Sequence, residues 1–222
     1  MLAGGTGSRM GRPKQFIDLL GRPALYHTLR AFQEAPEISR IYAVGDPDLI
    51  GGLAYESGIK KYVGCALPGE TRALSTRSGL RMCAEEEESV VLIHDGSRCL
   101  VTPALIGRVV EAARTSADGV IPTVPVSDTI KVAENGCVGQ TLDRSKLHAT
   151  QTPQAFRLGL LKKIYASPED ILRAATDDAS LVEKEGGRVE IVTGEKTNIK
   201  LTSPEDLVLA EAILTSRGGP WR

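Results

Sequence analysis

Four short apolar runs, rich in β-branched residues, recur along the chain: RIYAVG at 40–45, SVVLIHD at 89–95, GVIPTVPV at 119–126 and RVEIVTG at 188–194. Runs of this length, closed by glycine or by charge, predict short buried strands. Between them the hydrophobic period lengthens. TPALIGRVVEAARTSA at 102–117 predicts a helix with Thr102 as its N-cap, Pro103 at the first helical position, and Leu105, Val109 and Ala113 on one face. SPEDLVLAEAIL at 203–214 repeats the signal, with Ser203, Pro204 and Asp206 forming a capping box. Strands alternating with helices predict an α/β fold: a Rossmann-like, mostly parallel sheet flanked by helices, in one domain spanning 1–222.

One stretch breaks the alternation. DTIKVAENGCVGQTLDRSKLHATQTPQAF at 128–156 carries an Asn135-Gly136 turn between two Thr- and Val-containing segments, which is a hairpin signal. Its flanks are too polar for a central strand pair. A β-arm projecting at about 128–152 is the expected form. Because an isolated hairpin is marginal in water, a second copy of the chain is its expected support. Two polar runs read more simply: AEEEES at 84–89 as a solvated helix end, and TDDAS at 176–180 as a helix start capped by Thr176.

Charge and composition remove several classes of function. The 27 basic residues nearly cancel the 28 acidic ones, without the basic excess of a nucleic-acid binder. No apolar run approaches the ~20 residues of a membrane span, and no leader pattern is visible, so a cytoplasmic protein is expected. Cys65, Cys83, Cys99 and Cys137 form no C-x-x-C pair, and His27, His94 and His148 are scattered, which argues against zinc. Reduced cysteines are expected.

The chemistry gathers at the start of the chain, MLAGGTGSRMGRPKQF. A phosphate-binding G-x-x-x-x-G-K-[ST] loop fails here, because Gly11 is followed by Arg12 and Pro13. The dinucleotide fingerprint G-x-G-x-x-G fails because Met10 holds the third glycine position, which removes a nicotinamide dehydrogenase. What is left is a glycine loop (Gly4, Gly5, Gly7) whose backbone amides can face an anion, followed by its own cations Arg9 and Lys14. Asp95 and Arg98 close the strongest strand, where ligands of open α/β sheets bind. An aspartate there suits Mg²⁺ beside phosphate oxygens. Lys200 follows the last strand, and Arg144 lies on the arm.

Taken in order, AGGTGSRMGRPKQF, HDGSR, PVSDTIK, DRSKLHATQTPQAF, TDDASLVE and NIKLTSPEDLVLAE resemble the 2-C-methyl-D-erythritol 4-phosphate cytidylyltransferase family over nearly the whole chain. The resemblance implies transfer of CMP from CTP to a polyol phosphate, with Mg²⁺, in a homodimer whose β-arms interlock. It implies that Arg9 and Lys14 hold the triphosphate. Ala3, Gly4, Gly69, Glu70 and Ser75 would frame the cytosine, and Asp95, Arg98, Thr129, Arg144, Thr152, Thr176 and Lys200 would line the polyol-phosphate side, with Thr129 and Arg144 reaching in from a second subunit's arm. A related ribitol-5-phosphate cytidylyltransferase shares these motifs, so the acceptor stays open between the two, methylerythritol phosphate being favoured. A CTP-binding module without turnover is the alternative of another class. Two departures carry expectations. Only Met1 and Leu2 precede the glycine loop, so the first strand is expected to be nearly absent. Cys99 stands where the family has proline, which is expected to loosen the turn holding Arg98.

Overall fold

The computed structural model describes residues 1–5, 7, 13–115 and 118–219. After a short 3₁₀ turn at Lys14–Phe16 the elements run β1 (Asp18–Leu19), β2 (Arg22–Pro23), α1 (Ala24–Glu34), β3 (Ile41–Val44), α2 (Pro47–Glu56), β4 (Tyr62–Ala66), α3 (Arg72–Leu80), β5 (Val90–Ile93) and α4 (Pro103–Thr115). The second half continues with β6 (Gly119–Pro125), β7 (Lys131–Glu134), β8 (Cys137–Thr141), β9 (His148–Thr150), β10 (Gln154–Arg157), α5 (Leu158–Tyr165), α6 (Glu169–Arg173), α7 (Asp178–Lys184), β11 (Val189–Thr193) and α8 (Pro204–Ser216).

The α/β layering matches the sequence pattern, and the strand pairing is mixed. β3 pairs with β4 in parallel, and β6 with β11 in parallel. β10, however, runs antiparallel between β5 and β6, and β9 pairs antiparallel with the far end of β6. A chain returning from the arm by β9 and β10 needs no crossover helix, so it enters the sheet antiparallel. One face of the sheet is covered by α1, α2 and α4 through Leu29, Phe32, Ile50, Leu105, Ile106 and Val109. The other is covered by α3, α5 and α7 through Leu74, Leu80, Leu158, Leu161, Tyr165 and Val182. A third cluster joins β1 and β2 to α8 through Leu19, Leu100, Leu201 and Leu214.

Local signals held where their partners lie within one turn. Thr102 Oγ1 accepts from Leu105 N–H, and Ser203 with Asp206 forms a capping box. Leu105, Val109 and Ala113 are all buried on one face of α4. In TDDAS the cap is Asp177 rather than Thr176: its carboxylate accepts from Ser180 N–H, and Thr176 is exposed one residue earlier. AEEEES is not a helix end either, because α3 stops at Leu80 and 84–89 is irregular. Glu85 is drawn inward, accepting from Tyr42 Oη at 2.7 Å and Arg40 Nη1 at 2.8 Å.

The arm is a hairpin, β7 against β8, with Asn135 (φ 49°) and Gly136 (φ 79°) at its turn. Both positive φ values are those of a type I′ turn, which is why this dipeptide sets the register. Its residues are almost all exposed. The expected span of 128–152 overshoots at its end, since β9 already belongs to the main sheet.

The stub before the glycine loop is short but paired on both sides. Leu2 bridges in parallel to Val44 and to Asp95. Leu2 N–H donates to His94 O at 2.8 Å, Ala3 N–H to Val44 O at 2.7 Å, and Gly96 N–H to Leu2 O at 2.8 Å. The two residues therefore hold β3 and β5 together and aim the glycine loop at the carboxyl ends of both.

Candidate active site

The glycine loop is built against a second loop. A Cβ on Gly4 would lie 2.4 Å from Pro68 Cβ, so only glycine lets the chain pass this close. Gln15, buried in the turn after the loop, donates from Nε2 to Ala3 O at 2.6 Å and to Gly5 O at 3.1 Å. These two bonds tie the turn at Lys14–Phe16 to residues 3 and 5; Gly5 is exposed, and Ala3 and Gly7 are buried. Beside it, Gly69 N–H donates to Ser75 Oγ at 3.1 Å, and Ser75 Oγ–H is directed to Thr71 O at 2.9 Å. Glu70 is exposed, and its carboxylate takes Arg173 of α6 at 2.7 Å. The approach of Gly4 to Pro68 thus sets the stretch 3–5 beside the stretch 68–75. Arg9, the expected first cation, lies outside the described residues.

A charged cluster fills the end of β5. Asp95 is 7% exposed. Its Oδ1 accepts from Arg72 Nε at 3.0 Å and its Oδ2 from Lys200 Nζ at 2.7 Å. Burial alone would raise its pKa, but the charges of Arg72 and Lys200 outweigh burial and hold Asp95 well below the usual carboxylate range. Arg72 also meets Asp178, which is fully buried, at 2.7 Å through Nη1. Burial works against the Arg72 charge, and the carboxylates of Asp178 and Asp95 raise its pKa in spite of it. Thr76 and Tyr165 donate their hydroxyls to Asp178 Oδ1. Lys14 Nζ donates to Leu201 O at 3.1 Å, one residue from Lys200. Lys14, from the turn near the start of the chain, and Lys200, from the loop after β11, therefore come to neighbouring positions.

The loop carrying Lys200 is clamped from below by the end of β9 and the start of β10. Gln151 Nε2 donates to Glu195 O at 2.8 Å, and Asn198 Nδ2 donates to Thr152 O at 3.0 Å. Gln154 donates to Asp177 and accepts from Ala179 N–H, which fixes the start of α7 and with it Asp178. Thr152 is buried: its Oγ1 accepts from Asp95 N–H at 3.1 Å and lies 3.0 Å from His94 Nδ1. Nε2 of the same ring lies 3.2 Å from Arg98 O. One polarity satisfies all three contacts: His94 Nε2–H donates to Arg98 O, and Thr152 O–H donates to Nδ1. Thr152 therefore holds the Asp95 backbone from inside the protein.

Arg98 is held on two sides, donating from Nη1 to Asn198 O at 2.9 Å and from Nη2 to Thr150 O at 3.2 Å. Cys99 is buried among Leu19, Leu100 and Leu201. The turn holding Arg98 is therefore not loosened by the absence of proline; a small apolar thiol packs there instead. Thr129 and Arg144 stay away from the cluster. Both are exposed on the arm, and Arg144 Nη1 donates to Ser127 O at 2.9 Å.

Asp95 was expected to hold Mg²⁺. Both of its oxygens are taken by cations, and no group of three or more metal-binding side chains occurs among the described residues. Asp95 is here the anion of an ion-pair cluster, and the residues present do not fit a protein-built metal cage. Arg72 and Asp178 are not among the residues the sequence points to: Arg72 lies two positions after Glu70, and Asp178 stands inside the TDDAS helix start.

His94 supplies a pH prediction. Burial pushes its pKa down to about 3. A group depressed in this way contributes full stability above its unfolded value of about 6.5, and loses it as pH falls toward the folded value. Chemical denaturation at pH 7 and pH 5 is expected to show about 2 kcal/mol less stability at pH 5 from His94. In a His94→Gln variant that difference is expected to disappear.

With this geometry in place, comparison with known proteins is decisive. A sequence model of the family described as "2-C-methyl-D-erythritol 4-phosphate cytidylyltransferase" matches residues 1–216. The chain belongs to this family. Among its relatives, a 2-C-methyl-D-erythritol 4-phosphate cytidylyltransferase of Rubrobacter xylanophilus is 69% identical over 217 residues, covering 98% of this chain and 94% of that protein. One of Bacillus velezensis is 44% identical over 223 residues, covering 98% and 95%. The crystal structure of the Thermus thermophilus cytidylyltransferase superposes with a TM-score of 0.77 at 33% identity, covering 96% of each chain. That of the Anaerococcus prevotii synthase gives 0.80 at 32%, covering 96% and 93%. The chain is an enzyme of the nucleotidyltransferase class, and the methylerythritol branch of the motif set is the one it follows. Among the described residues no helix is long and apolar enough to cross a membrane.

Proposed function

We propose that the protein transfers CMP from CTP to 2-C-methyl-D-erythritol 4-phosphate, giving 4-diphosphocytidyl-2-C-methyl-D-erythritol and pyrophosphate. The observation that carries this reading is the gathering of Lys14, Lys200, Arg72 and Arg98 around Asp95, next to the glycine loop. An oxygen of the acceptor phosphate attacks the α-phosphorus of CTP, the bond from that phosphorus to the β-phosphate oxygen breaks, and pyrophosphate leaves. The second pKa of a phosphate monoester is about 6, so the nucleophile is already ionised at neutral pH. No general base is needed, which agrees with a neutral, buried His94. What the reaction requires is compensation of charge where two anions meet.

In this reading Ala3, Gly4, Gly5, Gly7, Gly69, Glu70 and Ser75 frame the nucleoside end. Lys14 and Arg9 neutralise the triphosphate. Asp95, Arg98, Thr152 and Lys200 organise the acceptor side, with Thr176 at its edge. Mg²⁺ would accompany the triphosphate as part of the substrate. The exposed hairpin suits a homodimer in which the partner's Thr129 and the partner's Arg144 complete each site. We place the enzyme in the cytoplasm, in keeping with its four unpaired cysteines.

The test is one assay series. With CTP and Mg²⁺, methylerythritol phosphate is expected to give stoichiometric pyrophosphate release; folded protein that releases none rules out the reading. Lys200→Ala and Arg144→Ala chains are each expected to be inactive alone. Mixed in equal amounts they are expected to recover about a quarter of wild-type activity, because half the dimers then contain one intact site. If mixing restores nothing, the arm does not serve its partner.

A further inference from the structure

The loop between β4 and α3 is held only lightly from within. Gly69 N–H donates to Ser75 Oγ, while Leu67, Pro68 and Glu70 are exposed. A second tie runs outward. Arg173 Nη2 lies 2.7 Å from Glu70 Oε2. The same nitrogen donates to Glu169 Oε2 at 3.3 Å, and the other oxygen of Glu169 accepts from Arg77 Nη2. Glu70, Arg173, Glu169 and Arg77 therefore form one chain of alternating charge, which runs from the loop to the second turn of α3.

The middle of that chain sits on α6, a helix of 5 residues whose one buried side chain is Leu172. A helix this short has no stability of its own and stays where tertiary contacts hold it. Its charged contacts go to α3, through Arg77, and to the loop ahead of α3, through Glu70. After α6 the chain passes Thr176 and Asp177 and reaches Asp178, which meets Arg72. The segment 169–178 therefore touches the Glu70 loop at one end and the cluster of Arg72 and Asp95 at the other. A single exposed ion pair contributes little, because water competes for it and two long side chains have to be ordered. Here one arginine is shared by two carboxylates, and one of those is held by a second arginine, so the side chains order one another.

We propose that Arg173 is a positioning residue for the nucleoside loop: through the Glu70 carboxylate it holds Gly69 and Glu70 in place before CTP arrives. The inference rests on the assignment of this loop to the nucleoside end of CTP. A loop held in its bound form in advance has less freedom to lose on binding, and the ligand binds more tightly for it. In that assignment the loop meets the nucleoside and not the reacting phosphorus. Its contacts are then equal in the ground state and in the transition state, and such uniform binding appears in KM and leaves kcat unchanged. Arg173 differs in this from Lys200, which bears on the reacting centre, and from Arg72, which bears on the fold.

The test uses full-length chains. Arg173→Met keeps most of the stem and removes the charge. It is expected to raise KM for CTP about three- to fivefold, with kcat, KM for the acceptor and Tm unchanged. Arg173→Lys, which keeps a charge, is expected to stay within about twofold of wild type. In a Glu70→Gln background the Arg173→Met change is expected to add nothing, because its partner charge is already gone. Calorimetric titration with CTP and no acceptor is expected to read the same weakening. That measurement needs no turnover, so a chain that binds CTP and releases no pyrophosphate overturns the proposed reaction and still tests the role of Arg173. A full effect of Arg173→Met in the Glu70→Gln background overturns the proposal, by placing Arg173 on CTP itself. Unchanged CTP affinity in Arg173→Met, or a fall in kcat or Tm in its place, overturns it as well.

Discussion

Replacing Lys200 by alanine is expected to lower kcat by about 10²–10³-fold while the protein stays folded. Lys200 is one of two cations on Asp95, and its side chain is 38% exposed, so it stands at the boundary between the buried cluster and the open site. Removing it leaves Asp95 still paired to Arg72 at 3.0 Å, which protects the fold. It also removes a positioned positive charge from the place where an acceptor phosphate has to approach a triphosphate. A donor of this kind contributes most in the transition state, where negative charge is greatest and water has little room to reorganise. Steady-state pyrophosphate release, read beside Tm, tests this. A kcat within tenfold of wild type, with Tm unchanged, would falsify the assignment of Lys200 to the reacting centre.

Arg72→Met is expected to act on stability first, with a loss of about 3–5 kcal/mol. Arg72 joins two carboxylates, one of them the fully buried Asp178. Its removal leaves Asp178 with two hydroxyl donors and no counter-charge, and a buried charge stripped of its partner is among the most costly defects a core can carry. The paired variant Arg72→Met with Asp178→Asn is expected to recover at least half of that loss, since the uncompensated charge goes as well. Urea denaturation of the two variants decides the matter. A single variant within about 1 kcal/mol of wild type shows that the cluster is not held by this ion pair. Because Arg72 fixes Asp95 Oδ1, the single variant is also expected to lose activity, and the stability readout separates the two effects.

The parts of this site that could be read from the sequence are those whose physics is local. Thr102, Ser203 and Asp206 cap helices because a side-chain oxygen finds an amide two or three residues on. Asn135-Gly136 makes a hairpin because both residues tolerate positive φ. Misreadings began where a polar residue had a distant partner. Glu85 looked like a solvated helix end and instead accepts from Tyr42 and Arg40, more than forty positions back. The hydroxyl of Thr152 is held between Asp95 and His94, 57 and 58 positions back. Nothing in the spacing of TQTPQ states that Gln151 and Gln154 are clamps for the Asn198 loop and for α7.

By itself the sequence determined the layering of strands and helices, the glycine loop, the hairpin and the set of charged residues from which a polyphosphate site can be made. Only the tertiary structure decided how those charges are shared. Arg72 and Lys200 reach Asp95 across 23 and 105 positions of chain. Asp178 reaches Arg72 from another helix. Whether a carboxylate binds a metal, faces a substrate or balances two cations depends on which groups stand within about 4 Å of it and on how much water is excluded. Neither quantity is carried by neighbours in sequence. Both appear only when β5, α3, α7 and the Lys200 loop are packed against one another.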